Sequence, residues 1–374
     1  MKVSLLCNKK IIAYVILIIA ILFALGEINY SNASYTSEDI EGIDESKYPG
    51  YKSLIQSLID EYPTWEFKLY YTELDWEDVI TNECQGHGTS PKNLSPANNA
   101  NYDGEWICPY CGRKTYDSQS WYCASESAIR YMMDPRNSIN SSDVFQFQNL
   151  SSTNIIRENV EKMVEGTFLD EVECVDAIIN ASETYDVNGY YLVARILQEQ
   201  GKNGSYLSLG EGYNGEYVGV YNLFNIGAYG NGKANVIMNG LAYAESAEWF
   251  SKAESIIGGA KFVAKSYIAI GQNTLYFQKF NVVTDNLYNH QYMQNILAAQ
   301  NEGTTLRKTY AEMDENFSST YSFLIPVYEN MPDEASLRPS TITNDTQDIE
   351  EAIDDESKYP SLVEDEIQRV FPEV

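Results

Sequence analysis

The spacing of apolar residues divides the chain into segments of distinct character. In YKSLIQSLIDEYP, Leu54, Ile55, Leu58 and Ile59 share one helical face, and Pro63 ends it. WEFKLYYTEL then alternates as a short strand does. Residues 81–120 are rich in Asn, Gly, Ser and Pro and predict a long loop, of a kind that usually carries something of its own. WYCASESAIRYMMDP predicts a helix up to Pro135. From Ile155 to Gln200 the pattern predicts three successive helices, broken near Gly166 and at Asp186-Val187-Asn188-Gly189. Residues 201–235 then hold nine glycines among tyrosines and turn signals, which predicts a lobe of loops and short strands. Helical spacing returns in LAYAESAEWFSKAESIIGGAKFVAKSYI.

The two ends differ from this middle. Lys9 and Lys10 precede an apolar run from Ile11 to Leu25, and Ser31-Asn32-Ala33 follows. This is the layout of a secretory leader cleaved after Ala33. The run is short for a retained anchor, which needs about 20 apolar residues. Residues 333–374 are strongly acidic and punctuated by proline, and predict disorder. The expected organisation is a signal peptide (1–33), a linker (34–50), an N-terminal α/β extension with a cysteine loop (51–154), a main domain (155–330) and an acidic disordered tail (331–374).

Composition narrows the partners. With 44% hydrophobic residues the chain can bury a substantial core, and its formal charge is −29. That charge argues against nucleic acid, whose phosphates require a basic patch, and against docking on anionic lipid. Recognition must come from a shaped, uncharged or aromatic site. After cleavage of the leader the expectation is a secreted, extracellular, monomeric protein that does not hold to a membrane.

Within the helix that begins near Tyr190, Leu192, Ile196 and Glu199 share a face. An apolar neighbourhood favours the neutral form of a carboxyl group, and the helix C-terminus adds a smaller push of about 0.3–1 kcal/mol in the same direction. A carboxyl that keeps its proton is what cleavage of a glycosidic bond requires. Arg195, four residues earlier, offers the plainer alternative of an ordinary ion pair with Glu199.

Downstream stand YNLFNIGAYG (221–230), IIGGAKFVAKSYIAIGQNTLYFQKFN (256–281) and HQYMQNI (290–296). With the helix ending in Glu199, these motifs resemble the glucosaminidase domain of bacterial autolysins, glycoside hydrolase family 73, over roughly residues 165–300. The resemblance implies an α+β, mainly helical, lysozyme-like domain with a small lobe flanking a groove, and a peptidoglycan hydrolase of the endo-β-N-acetylglucosaminidase type. It implies Glu199 as general acid and Tyr292 as its support, although Met293-Gln294-Asn295 depart from the family's Ala-Thr-Asp. It places Phe224, Asn225 and Gly227 at the groove that holds the glycan strand, with Tyr221 and Asn222 in the same motif; His290, in HQY, either orients the site or only packs. For a second catalytic group the lobe offers Glu216 or Glu211, with Glu216 preferred; otherwise the substrate's acetamido group serves as nucleophile. No cofactor is implied for catalysis. A lytic transglycosylase on the same fold and a non-catalytic wall-binding protein are the alternatives.

Cys7 lies in the leader, so an odd number of cysteines remains. Cys84-Gln85-Gly86-His87 and Cys108-Pro109-Tyr110-Cys111 are two ligand pairs with zinc-ribbon-like spacing, which predicts a structural zinc held by Cys84, His87, Cys108 and Cys111. A Cys108–Cys111 disulfide is the competing reading. Cys123 and Cys174 are left to pair or to stay as buried thiols.

Overall fold

The structure, a computed structural model, describes residues 34–35, 43–97, 99–116, 120–151, 155–230 and 232–341. The expected leader and residues 342–374 of the expected tail lie outside the described residues. The class is α+β, as expected, with a mainly helical body.

Helix α1 (Tyr51–Glu61) buries Tyr51, Ile55, Leu58 and Ile59, the face read from the sequence. Strand β2 (Glu66–Asp75) follows. Asp75 ends it and caps α2 (Trp76–Glu83), accepting from the amides of Glu77 and Asp78. β2 runs parallel to β6 (Ser322–Glu329), with Glu66 opposite Ser322, and antiparallel to β1 (Ser34–Tyr35). One sheet therefore joins the extension to the last strand. The expected linker is partly structured for the same reason: β1 pairs with β2, and Ile43 and Tyr48 enter the core.

A second sheet has the order β3-β5-β4, with β3 at Leu94–Pro96, β4 at Thr115–Tyr116 and β5 at Trp121–Cys123. This corrects the expected helix over WYCASESAIRYMM. Trp121–Cys123 is a strand, and the helix α3 is confined to Glu126–Met133 behind the Ser125 cap. Asn93, beside β3, donates to the buried Glu83 carboxylate and accepts from the buried Lys279 ammonium. Burial pushes the Glu83 carboxyl up and brings Lys279 down to about 8.

The three helices between Ile155 and Gln200 are α4 (Arg157–Val164), α5 (Val172–Tyr185) and α6 (Gly189–Gln200). Asp186 adopts the left-handed conformation that stops α5, and Asn188 caps α6 through the amides of Tyr190 and Tyr191. The lobe from 201 to 232 contains no helix or named strand among the described residues; a tight Asn214-Gly215 turn closes a single bridge between Tyr213 and Glu216. After it come α7 (Lys233–Ser246), α8 (Lys252–Ser266), the short α9 (Leu275–Lys279) and α10 (Ala298–Met313). No helix of the described residues is long and apolar enough to cross a membrane.

The GGAKF motif has a packing role. A Cβ on Gly258 would come within 2.2 Å of the Trp249 indole, and one on Gly259 within 1.9 Å of the Phe224 ring. Both positions must therefore be bare, Gly259 for α8 to lie against the lobe and Gly258 for it to lie against Trp249. The first residues of the expected disordered tail are also held. Buried Arg136 donates to the carbonyls of Pro332 and Glu334, the Ser336 amide donates to Asp134, and Ser340 pairs with Glu105.

Candidate active site

Helix α6 ends where the sequence indicates, with the Gly201 amide donating to the Leu197 carbonyl. Its last turn carries Glu199, whose side chain is 13% exposed. One oxygen, Oε1, lies 2.7 Å from Nη2 of Arg195. The other, Oε2, accepts from Nδ2 of Asn225 at 2.7 Å. The ion pair with Arg195 that the spacing allowed is thus present, and Asn225 of the lobe completes the clamp. Asn225 reaches this position through a left-handed backbone (φ 54°), a conformation asparagine tolerates better than most residues.

Arg195 is shared. Its Nη1 meets Glu302 of α10 at 3.2 Å, its Nη2 donates to the Tyr292 hydroxyl, and its guanidinium stands 4.9 Å from the Tyr292 ring centroid. Burial works against the charged guanidinium, but Tyr292, Glu199 and Glu302 together hold it well above its ordinary value. Burial likewise pushes the Tyr292 hydroxyl well up. One buried cation therefore faces two carboxyl groups and a phenol. Glu302 was missed by the sequence reading. It sits on the buried face of α10 with Ala299, Gly303 and Leu306, so its helical register carried the signal.

Gln200, also missed, fixes the lobe to the end of α6. Its amide donates to the carbonyls of Asn222 and Leu223 and to Oδ1 of Asn225, and it accepts from the Ser205 hydroxyl. The expected groove residues separate into two kinds. Asn222 is fully buried: its amide nitrogen donates to the carbonyls of Ile226 and Gly240, and its oxygen accepts from the Ile226 amide. These bonds shape the loop and spend both amide hydrogens inside the protein. Phe224 is likewise buried against Gly259. Tyr221 is half-buried, with its ring over Gly210. Gly227, in contrast, lines a cavity of about 310 Å³ with Ile226, Tyr229, Asn239 and Tyr243.

The remaining expected residues lie further out. Glu216 is exposed, and its main chain closes the Tyr213–Glu216 bridge; Glu211 is exposed too. His290 is exposed, bonds Gln272 at 2.8 Å and tilts against Tyr267, whose ring meets Tyr292 edge-on. Two aromatic rings, those of Tyr267 and Tyr292, stand between it and Arg195.

The four expected zinc ligands are not brought together. Cys84 packs against the core at the end of α2, where burial pushes its thiol up to about 12. Its place beside His87, Cys108 and Cys111 is taken by Cys123, and the four ligand atoms of that set lie within 4.8 Å of one another. Among the described residues no cysteine is disulfide-bonded, so Cys123 and Cys174 are not paired.

No family model matches the chain. It is 32% identical over 217 residues to a bifunctional autolysin of Staphylococcus epidermidis and 34% identical over 214 residues to a β-N-acetylglucosaminidase of Bacillus subtilis. Each alignment covers 56% of this chain, but only 16% and 23% of those proteins, so the chain spans less than a quarter of these relatives' own length. The crystal structure of a major bifunctional autolysin matches with a TM-score of 0.51 at 23% identity, over 70% of this chain and 98% of that one. The lysozyme-like fold expected from the motifs is therefore the fold observed, and over more than half its length the chain is similar to the glucosaminidase domains of autolysins.

Proposed function

We propose that this protein is a glycoside hydrolase acting on the glycan strands of peptidoglycan, an endo-β-N-acetylglucosaminidase with Glu199 as general acid. The observation that carries this reading is the place of Glu199, largely buried in the last turn of α6, where Asn225 of the lobe donates to it. Asn225 is followed directly by Ile226 and Gly227 at the cavity wall. The relatives named autolysin and β-N-acetylglucosaminidase support the same substrate class. The exposed ring of Tyr229 at this cavity offers a face on which sugar C–H groups can stack.

In the reaction, the bond between the anomeric carbon and the glycosidic oxygen breaks as Glu199 gives its proton to the leaving oxygen. A water, or first the acetamido oxygen and then a water, adds to the anomeric carbon and returns its proton to the carboxylate. Tyr292 positions Arg195. Glu216, on its exposed turn, is the lobe carboxylate available to assist. No metal takes part in these steps. A peptidoglycan substrate lies outside the cell membrane, which is the reason for expecting export, and a single chain carries every residue named.

The test is digestion of defined glycan strands by the wild type and Glu199→Gln. The expected products carry reducing N-acetylglucosamine ends, and the variant loses nearly all release. Anhydromuramic ends would instead establish the transglycosylase alternative. Binding of peptidoglycan without release, unchanged by Glu199→Gln, would establish a wall-binding protein.

A further inference from the structure

We propose that His87, Cys108, Cys111 and Cys123 form a structural zinc site that fixes the β3-β5-β4 sheet and, through it, the segment carrying Tyr292. The ligand atoms converge on one point at separations close to those of a tetrahedral site. Zinc–sulfur bonds of about 2.3 Å and zinc–nitrogen bonds of about 2.0–2.1 Å set nitrogen-to-sulfur edges of about 3.6 Å and sulfur-to-sulfur edges of about 3.8 Å. Nδ1 of His87 lies 3.0, 3.3 and 3.9 Å from the sulfurs of Cys123, Cys108 and Cys111. All the ligand atoms lie within 4.8 Å of one another.

Each ligand is placed by a separate backbone device. Cys108 precedes and Cys111 ends the one-turn Pro109–Cys111 segment, and Gly112 turns the chain with a positive φ of 57°. β4 and β5 then form a hairpin, pairing Thr115 with Tyr122, which returns the chain so that the Cys108 amide donates to the Cys123 carbonyl. His87 sits on a loop between Gly86 and Gly88, which Lys114 ties down by donating to the Gly88 carbonyl. Three soft thiolates and one imidazole suit zinc, and four protein ligands leave no open position for catalysis.

The same sheet is hydrogen-bonded to the 291–296 segment. The Leu94 amide of β3 donates to the Gln294 carbonyl, the Ile296 amide donates back to Leu94, and the Gln291 side chain donates to Glu83. Zinc at the cysteine cluster thereby stiffens the segment from which Tyr292 reaches Arg195.

Metal analysis of protein purified from zinc-containing medium tests the proposal independently of the hydrolase reading. About one zinc per chain is expected, retained in Cys84→Ser and lost in Cys123→Ser. Cobalt substitution should give visible bands of a tetrahedral thiolate site. Because Cys123→Ser can fail to fold, alkylation of the wild type supplies a second readout: Cys108, Cys111 and Cys123 become labelled together on chelation, while Cys84 and Cys174 keep their labelling. Zinc lost in Cys84→Ser but kept in Cys123→Ser would overturn the ligand set. Metal-free protein with Cys108 and Cys111 joined by a disulfide would overturn the site altogether.

Discussion

The clusters around Arg195 and around His87 each gather four polar side chains from separated parts of the chain, and they are held by opposite means. Around Arg195 the charges are internal: one guanidinium answers two carboxyl groups and a phenol. Around His87 every converging atom is an electron-pair donor, so the chain supplies ligands and no cation. The first cluster is assembled by helices whose apolar faces already force them together, and its polar groups ride on that packing. The second belongs to a sheet of two- and three-residue strands, too short to be stable alone, for which a metal clip is a substitute for a core. Buried polar groups in this fold can thus be a product of packing or a replacement for it.

The sharpest way to break the first cluster is at its proton. Glu199→Gln should lower glycan cleavage by about 10²–10⁴-fold, the usual worth of a general acid, read from the release of reducing ends. Removing the shared cation comes next. Arg195→Met takes the guanidinium away from the buried Glu199 and Glu302 carboxyl groups and should cost about 3–5 kcal/mol in urea denaturation. Glu302→Gln keeps the Arg195–Glu199 pair and should cost about 1 kcal/mol. If Arg195→Met and Glu302→Gln prove equally mild, the guanidinium is not the keystone described here.

Packing between lobe and helix is the third lever. Gly259→Ala forces a methyl group against the Phe224 ring and should destabilise by about 1–3 kcal/mol. The smallest effect is that of pH. Lys279, with its folded value near 8 against an ordinary 10.5, binds fewer protons folded than unfolded between those values. Its contribution therefore makes stability rise with pH above about 8. The buried phenols of Tyr276, Tyr292 and Tyr310 have raised values, so their contribution is intact below about 10 and is lost as pH rises further. Melting temperatures measured from pH 7 to 11 should pass through a maximum, and Lys279→Met should flatten the rising limb.

Local spacing made much of this legible. The register of α6 placed Glu199 beside Arg195, and the breaks at Gly166 and Asp186–Gly189 followed from turn chemistry. Non-local pairing hid the rest. Cys123 reads as a helical residue until β4 turns the chain back beside Cys111, and the closeness of Cys84 to His87 in sequence does not bring the Cys84 thiol into the cluster. The motif put Asn222 at the groove; its burial and its bonds to Ile226 and Gly240 depend on how the loop folds back on α7, which the motif does not spell out. Glu302 was readable from the apolar face of α10 and went unnoticed because no motif surrounds it.

The parallel pairing of β2 with β6 bears on how the molecule comes into being. Phe67 finds its neighbour at Phe323, so an early strand must wait for nearly all the described chain to be synthesised before its ladder can close. Such distant closure is slow, since the entropy of ordering the ends precedes any reward. The helices between them, built from near neighbours in sequence, can form first. The sheet edge is then a late-sealing seam, and during that interval it is the part of the nascent protein most open to mispairing with another strand.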